Sequence, residues 1–308
     1  MIVIFGSNGY LGSMFYEYLK QEGLDVVGVV RENEKNKDKK IDSWIYHDYR
    51  DPNRHLTLPE KSKVAVNFTG PPAYSFKHQA KNQETGIRNT TSTIIRSINQ
   101  SNIKRVINIS SIHIYSSIME NVLSELTQLN NQHPYAQSHK NKETQFKKSL
   151  KNGIQLINLR LANVFGIPTE YKGDSESLLI NQIVRAVVNG ETYEIKNKKD
   201  TMRNFLTRDD FVILLKELLL NEKFTKSGPL NLGGVDASIY EITNYVMGLL
   251  KSERSLDGDI RFLDQGKASK NDFKFNCNLA FENGLKPRND FKKAILDLYD
   301  FYSAQREV

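Results

Sequence analysis

The stretch PYAQSHKNKE, Pro134 to Glu143, sets a phenol, a hydroxyl and an imidazole at positions 135, 138 and 139. On a helix, residues three and four apart are neighbours, so Tyr135, Ser138 and His139 share a face. Lys140 comes one residue later and, at ~100° per residue, is turned ~140° from Tyr135. A phenol of pKa ~10 that must ionise near neutrality needs a shift of about three units, or ~4 kcal/mol. A lysine at position 139 would assist that shift. A histidine of pKa ~6.5 is mostly uncharged there and assists less, although it still forms a hydrogen bond. The stretch is either a reactive tyrosine with an altered helper or an ordinary surface helix, and the rest of the chain must decide.

A second signal lies at the start of the chain. The apolar run IVIF (Ile2 to Phe5) passes directly into GSNGYLG: Gly6, Ser7, Asn8, Gly9, Tyr10, Leu11 and Gly12. Gly6 permits a tight turn, Gly9 lets a pyrophosphate approach the backbone, and Gly12 lets a helix pack close to a sheet. The helix that follows presents free N–H groups to phosphates. The expectation is a dinucleotide site. The next apolar run ends at Arg31, followed by Glu32. Arginine suits the 2′-phosphate of NADP, whereas an acid would suit the ribose hydroxyls of NAD, so NADP(H) is expected ahead of NAD(H). Asp48, in HDYRD, is placed for the adenine edge.

These groups need a scaffold. Gly9 to Glu22 reads as a helix with Leu11, Phe15, Tyr18 and Leu19 on one face. DVVGVV (Asp25 to Val30), WIYH (Trp44 to His47), VAVNF (Val64 to Phe68), RVINIS (Arg105 to Ser110) and IQLINLR (Ile154 to Arg160) read as strands. Helices are expected through Ile94, Ile95 and Ile98 and over Tyr135 to Ser149. Short apolar runs alternating with helices predict an α/β fold, a doubly wound parallel sheet covered on both faces. The second half is less regular, with helices near Leu178 to Val188, Asp209 to Leu220, Ile239 to Leu250 and Asp290 to Tyr302 and short strands between. The division expected is a cofactor domain over 1–167 and a mainly substrate-binding domain over 168–308, some of whose segments return to the sheet. Pro168 to Gly173 is the expected crossing point.

Composition bounds the partners. With 308 residues, 39% hydrophobic and 26% charged, the chain can bury a sizeable core under an ordinary polar surface. No apolar run approaches the ~20 residues of a membrane span. MIVIFGSNGYLG lacks a basic leader and a small-residue cleavage site, so it does not read as a signal peptide. The one cysteine, Cys277, has no internal partner for a disulfide. Both points fit a cytoplasmic setting. Net charge is +7 and the isoelectric point about 9.2. The lysines are interspersed with acids, as in RENEKNKDKK (Arg31 to Lys40), and no nucleic-acid motif appears. A basic surface of this kind attracts anionic small substrates instead. No metal site is read.

Taken in order, these motifs resemble the extended short-chain dehydrogenase/reductase family, in its nucleotide-sugar epimerase, dehydratase and reductase branch, over almost the whole chain. GSNGYLG looks like its GxxGxxG, DYRD (Asp48 to Asp51) like its acidic adenine-side motif, and NFTG (Asn67 to Gly70) like the segment beside the cofactor. IKRVINISSIHIYS (Ile103 to Ser116) resembles the catalytic-serine strand and YAQSHKNKE resembles YxxSKxxxE. RLANVFG (Arg160 to Gly166), MRNFLTRDD (Met202 to Asp210) and GLKPR (Gly284 to Arg288) resemble RxxNVYGP, RDFIHVDD and GWxP. The family's asparagine before the long helix has no clean match near IRN (Ile87 to Asn89).

The resemblance implies a doubly wound cofactor domain with a smaller C-terminal substrate domain, and it allows a homodimer. It makes Ser111 the catalytic serine and Tyr135 the proton-transferring tyrosine, with His139 in the place of the helper lysine. It puts Tyr49, Phe68, Thr69 and Gly70 beside the cofactor, and Asn163 and Arg203 on a nucleotide-sugar diphosphate. A phenol and a serine hydroxyl at one sugar oxygen suffice for ketone reduction, or for the oxidation step of an epimerase. Ile112 stands where dehydratases keep an acid, which argues against 4,6-dehydration. His113 either moves a carbon-bound proton or hydrogen-bonds a sugar hydroxyl. The expected function is an NADP(H)-dependent keto-sugar reductase acting on a nucleotide-linked sugar. The enzyme alternative is an epimerase with a retained cofactor. The other alternative is a cofactor-sensing or scaffold protein with a decayed catalytic helix.

Overall fold

β-Branched runs form the strands and the 3.6-period segments form the helices of the computed structural model, which describes residues 1–32, 43–49, 51, 54–70, 80–116, 121–169, 178–263 and 273–306. The first half runs β1 (Ile2–Phe5), α1 (Tyr10–Gln21), β2 (Val26–Arg31), β3 (Trp44–His47), β4 (Val64–Asn67), α2 (Ala80–Asn99), β5 (Arg105–Ser111), β6 (Val122–Leu123), α3 (Pro134–Ser149) and β7 (Gln155–Leu161). The second half runs β8 (Asn163–Phe165), α4 (Leu179–Asn189), β9 (Tyr193–Ile195), β10 (Met202–Thr207), α5 (Arg208–Leu220), β11 (Gly228–Leu232), β12 (Val235–Ser238), α6 (Ile239–Arg254), β13 (Ile260–Phe262), β14 (Lys274–Phe275), α7 (Asn278–Glu282) and α8 (Phe291–Arg306). Part of the charged loop (33–40), Arg50 of DYRD, and 170–173 of the expected crossing point lie outside the described residues.

The chain forms two compact units. One comprises Met1–Ser117, Gln128–Arg160 and Lys216–Leu230; the other comprises Ile118–Thr127, Leu161–Leu215 and Asn231–Val308. The first carries a seven-stranded sheet in the order β11-β7-β5-β4-β1-β2-β3. β1 runs parallel to both β2 and β4, β2 to β3, and β4 to β5. The strand order therefore reverses beside β1, and the crevice outside the carboxyl ends of β1 and β4 is the place where open α/β sheets receive ligands. Val3, Phe5, Val27, Val29, Ala65, Val106, Ile94, Ile98 and Phe146 form one continuous core of sheet and helix side chains. Burial on both faces explains why these strands read as unbroken apolar runs.

Polar side chains interrupt that core in a single line. Asn108 on β5 donates to Asn158 on β7 at 2.8 Å, and Asn67 on β4 donates to Asn108 at 3.0 Å. The Asn67 carbonyl oxygen then accepts from the backbone N–H and hydroxyl of Thr69 at 3.1 and 2.7 Å. The line fixes the turn that leaves β4.

The second unit is built differently. Its strands form small sheets, β12-β10-β8, β13-β9 and β14-β6, where the sequence shows helices with short strands between. Its core gathers Ile183, Val184 and Val187 of α4, Ile242, Val246 and Leu250 of α6, and Ile295 and Leu298 of α8. Ser238 and Glu241 close a reciprocal cap at the start of α6. Asp210 accepts from the backbone N–H groups of Arg288 and Asn289 at 2.9 and 3.0 Å, which ties the GLKPR segment to α5. Among the described residues no helix is long and apolar enough to cross a membrane.

Candidate active site

The glycine loop folds tightly on itself and on the exit of β4. Gly6 has φ of 78°, and a Cβ there would stand 3.2 Å from the Thr69 nitrogen. A Cβ on Gly12 would stand 2.1 Å from the Gly6 oxygen, a contact no side chain tolerates. Gly9 leads α1 without a side-chain cap, and a helix N-terminus of this kind favours an anion. Asn8 and Gly9 are exposed, Tyr10 and Leu11 half-buried. Ser7 is fully buried, and its Oγ has no hydrogen-bond partner among the described residues. This tight glycine turn at the start of an uncapped helix fits a dinucleotide.

Around it, Arg31 ends β2 exposed, opposite His47 in register. Glu32 is ion-paired with Arg54. Asp48 is half-buried, and the Tyr49 ring is a core residue lying edge-on to His47 at 4.9 Å between centroids. Phe68 and Thr69 are half-buried and Gly70 is exposed, with the Phe68 ring 6.0 Å from that of Phe15.

Four of the residues singled out by chemistry meet beside this crevice. His133 caps α3 by accepting the Tyr135 N–H at 3.2 Å, and Pro134 starts the helix with its φ already set. Ser111 ends β5, and its Oγ accepts the His113 N–H at 3.2 Å, turning the chain into a single helical turn over Ile112–Ile114. Asn131 donates to the His113 carbonyl at 2.6 Å and accepts the His133 N–H at 2.9 Å, which joins the serine turn to the tyrosine helix. The Tyr135 ring lies 6.4 Å from that of His113 and 4.7 Å from that of His139. Burial raises the pKa of Tyr135, and a hydrogen bond with Ser111 offsets part of that rise.

His139 is buried, and its pKa falls well below 6.5, through burial first and then the charges of Lys142 and His113. It is a neutral imidazole whose Nδ1 has no hydrogen-bond partner among the described residues. Lys140 turns the other way and donates to the Leu129 carbonyl at 3.0 Å.

Sequence reasoning passed over three groups. Lys142 is buried and donates to the Thr69 carbonyl at 2.8 Å. Seven residues after Tyr135, it lies only ~20° off the same face, a signal the helical period contained. Glu143 and Arg160 form a buried ion pair at 2.9 Å, and Arg160 also donates to the Tyr115 hydroxyl at 3.0 Å. The asparagine line was hidden inside strands that looked uniformly buried.

Asn163 and Arg203 belong to the second unit, on the paired strands β8 and β10. Asn163 donates to the Asn204 carbonyl at 2.9 Å. Arg203 is half-buried and donates to the Met202 carbonyl at 2.8 Å, while burial lowers its pKa. Among the described residues no carboxylate pairs with it. No group of three metal-ligating side chains occurs among the described residues.

The profile of the NAD dependent epimerase/dehydratase family matches residues 2–233. No curated protein matches the chain. Solved structures share its fold end to end. UDP-glucuronic acid 4-epimerase from Bacillus cereus, in complex with UDP-glucuronic acid and NAD, is 16% identical with a TM-score of 0.79, covering 99% of each chain. UDP-N-acetylglucosamine 4-epimerase from Methanobrevibacter ruminantium, in complex with UDP-N-acetylmuramic acid, is 17% identical with a TM-score of 0.79, covering 99% of this chain and 98% of the other. UDP-glucose 4-epimerase from Thermus thermophilus, in complex with NAD, is 14% identical with a TM-score of 0.73, covering 98% of each chain.

Proposed function

This chain belongs to the NAD dependent epimerase/dehydratase family, and on that premise we propose that it is a nucleotide-sugar epimerase working with a retained nicotinamide dinucleotide. The observation that carries the reading is the Tyr135–Ser111 hydrogen bond, flanked by His113 and His139 at the carboxyl end of the sheet. That pair addresses one oxygen of a secondary alcohol. As the carbinol is oxidised, Tyr135 takes the hydroxyl proton and Ser111 holds the same oxygen. In the return step Tyr135 would give the proton back to the same oxygen, and inversion would follow if the keto sugar had turned its opposite face to the cofactor. When bound, the nicotinamide supplies the place where the hydride rests between the two steps.

Each remaining residue then has a holding role. The glycine loop and the start of α1 take the pyrophosphate, Asp48 the adenine edge, and Phe68 to Gly70 the central part of the cofactor. Arg31 favours NADP(H), because a 2′-phosphate needs a cation and Arg54 neutralises the adjacent Glu32. Replacing Arg31 with Asp is expected to weaken NADPH binding more than tenfold, and tighter binding of NADH than NADPH to the parent would refute the preference. Arg203 and Asn163 take the sugar diphosphate, Arg203 because its planar fork bridges two phosphate oxygens. His113 faces the sugar as a hydrogen-bond donor.

The keto-sugar reductase expected from the sequence stands second. One observation favours it: burial keeps Tyr135 protonated and therefore ready to give a proton. The family and the three 4-epimerases of the same fold favour the closed cycle. Native mass spectrometry of the purified protein tests the reading. It should release a nicotinamide dinucleotide and a nucleotide sugar, and a protein that carries neither and binds neither when supplied contradicts it.

A further inference from the structure

Lys142 is only 3% exposed, yet it is poorly satisfied. An ammonium has three N–H donors. Among the described residues the one acceptor it meets is the Thr69 carbonyl, 2.8 Å away. The neighbouring acid, Glu143, is occupied by two hydrogen bonds from Arg160, at 2.9 and 3.2 Å. A buried cation without a counter-ion is costly to the fold, so two unmet donors on such a group call for an acceptor that arrives from outside.

The place of the ammonium says which acceptor. A Cβ on Gly70 would stand 3.7 Å from Nζ, so the ammonium sits over the Thr69–Gly70 backbone. That backbone is pressed against Gly6, to whose Cβ position Phe68 and Thr69 approach within 3.3 and 3.2 Å. Thr69 is in turn pinned by Asn67. Lys142 thus stands at the junction of the glycine loop and the β4 exit, on the Tyr135 face of α3. Helical side chains lean toward the N-terminus, which carries its ammonium back toward His139 and Tyr135. His139 feels its charge.

Resting on the nicotinamide-dinucleotide reading above, we propose that Lys142 is a cofactor-binding residue whose ammonium takes the vicinal hydroxyls of the nicotinamide ribose. The cation absent at position 139 has moved two helical turns from the tyrosine instead of one. His139, neutral and with Nδ1 unmet, completes the same diol as a hydrogen-bonding partner. Burial draws the pKa of Lys142 down to about 8, which leaves it mostly charged at neutrality and hence able to favour the ionised form of Tyr135.

Binding of NADH and of ADP, each followed by fluorescence or calorimetry, tests the assignment. ADP covers the adenosine half of the dinucleotide and reports whether the crevice is intact. Lys142→Met should weaken NADH at least tenfold and change ADP less than twofold. Lys142→Gln keeps an N–H for Thr69 and drops the charge; it should weaken NADH at least fivefold, and it answers the question if Lys142→Met does not fold. Adding His139→Lys to Lys142→Met should restore most of the NADH affinity. NADH affinity within twofold of the parent in both single variants overturns the assignment. Equal loss of NADH and ADP overturns it too, since that is the mark of a purely structural lysine. If the parent binds ADP but neither NADH nor NADPH, the cofactor reading itself falls, a result distinct from either.

Discussion

Lys142 and Glu143 are neighbours on one helix, both buried, both charged, and they live in opposite circumstances. Glu143 belongs to a saturated knot. Arg160 gives it two hydrogen bonds, gives a third to the Tyr115 hydroxyl at 3.0 Å, and lies over the Tyr115 ring at 4.9 Å. Lys142 belongs to an unsaturated face. Among the described residues it has one acceptor, and the adjoining His139 has an unmet Nδ1. A saturated buried network is complete within the fold. An unsaturated one raises the free energy of the empty protein and lowers it again when a ligand supplies the missing partners. The knot therefore reads as architecture and the open face as a site, a distinction drawn from the hydrogen bonds rather than from the residue types.

The contrast can be broken from either side. The largest effect is expected on the open face: Tyr135→Phe should lower turnover by ~10²–10⁴-fold, the range of a lost acid–base group. Its cofactor affinity and urea midpoint should stay near the parent's, and retained turnover would remove Tyr135 from the chemistry. On the knot, Glu143→Gln leaves the Arg160 charge buried and unpaired, so stability should fall by about 3–5 kcal/mol. Urea unfolding checks this, and a change below about 1 kcal/mol would show that the pair is not structural.

Lys142→Met should do the reverse of Glu143→Gln and raise the melting temperature of the cofactor-free protein at neutral pH. The sign follows from proton uptake. The Lys142 pKa is about 8 in the fold against 10.5 ordinarily, so between those values the unfolded chain binds more protons. The contribution of Lys142 to stability is full above pH 10.5 and is lost as pH falls toward 8. The advantage of Lys142→Met should accordingly shrink as pH rises from 8 to 10.5. A melting temperature lower than the parent's at neutral pH would make Lys142 another part of the knot. The smallest effect is expected in the second unit: Arg203→Ala should raise KM for a nucleotide sugar more than it lowers kcat, because its charge acts on bound substrate and transition state alike. An unchanged KM would remove Arg203 from the substrate.

Much of the first unit was legible in the sequence because its strands are buried on both faces and spell continuous apolar runs. The glycine loop was legible because Gly6 takes a left-handed φ and Gly12 has no room for a Cβ beside the Gly6 oxygen. Tyr135 and Ser111 were singled out by motif order and lie together in the fold, and the turn of Lys140 away from them followed from helical period. Lys142 was missed because a lysine on a polar helix ordinarily faces water, and only the β4 exit, packed from far along the chain, buries it. The asparagine line was missed for a related reason: a polar residue inside an apolar run shows no partner until neighbouring strands are in register. Short strands between the helices of the second unit were expected, but at two to six residues they are too short to show a period that would give their bounds or pairing.

The account rests on a closed hydride cycle at Tyr135, and product per cofactor tests that most directly. The parent is incubated with a panel of nucleotide-linked hexoses at substoichiometric nicotinamide dinucleotide, and the sugar is followed by proton NMR. One nucleotide sugar should invert at a single carbon, with product far exceeding the cofactor and no net change in reduced nicotinamide. Product that stops at one equivalent of cofactor, or a cofactor-loaded protein that converts no nucleotide sugar, would contradict it.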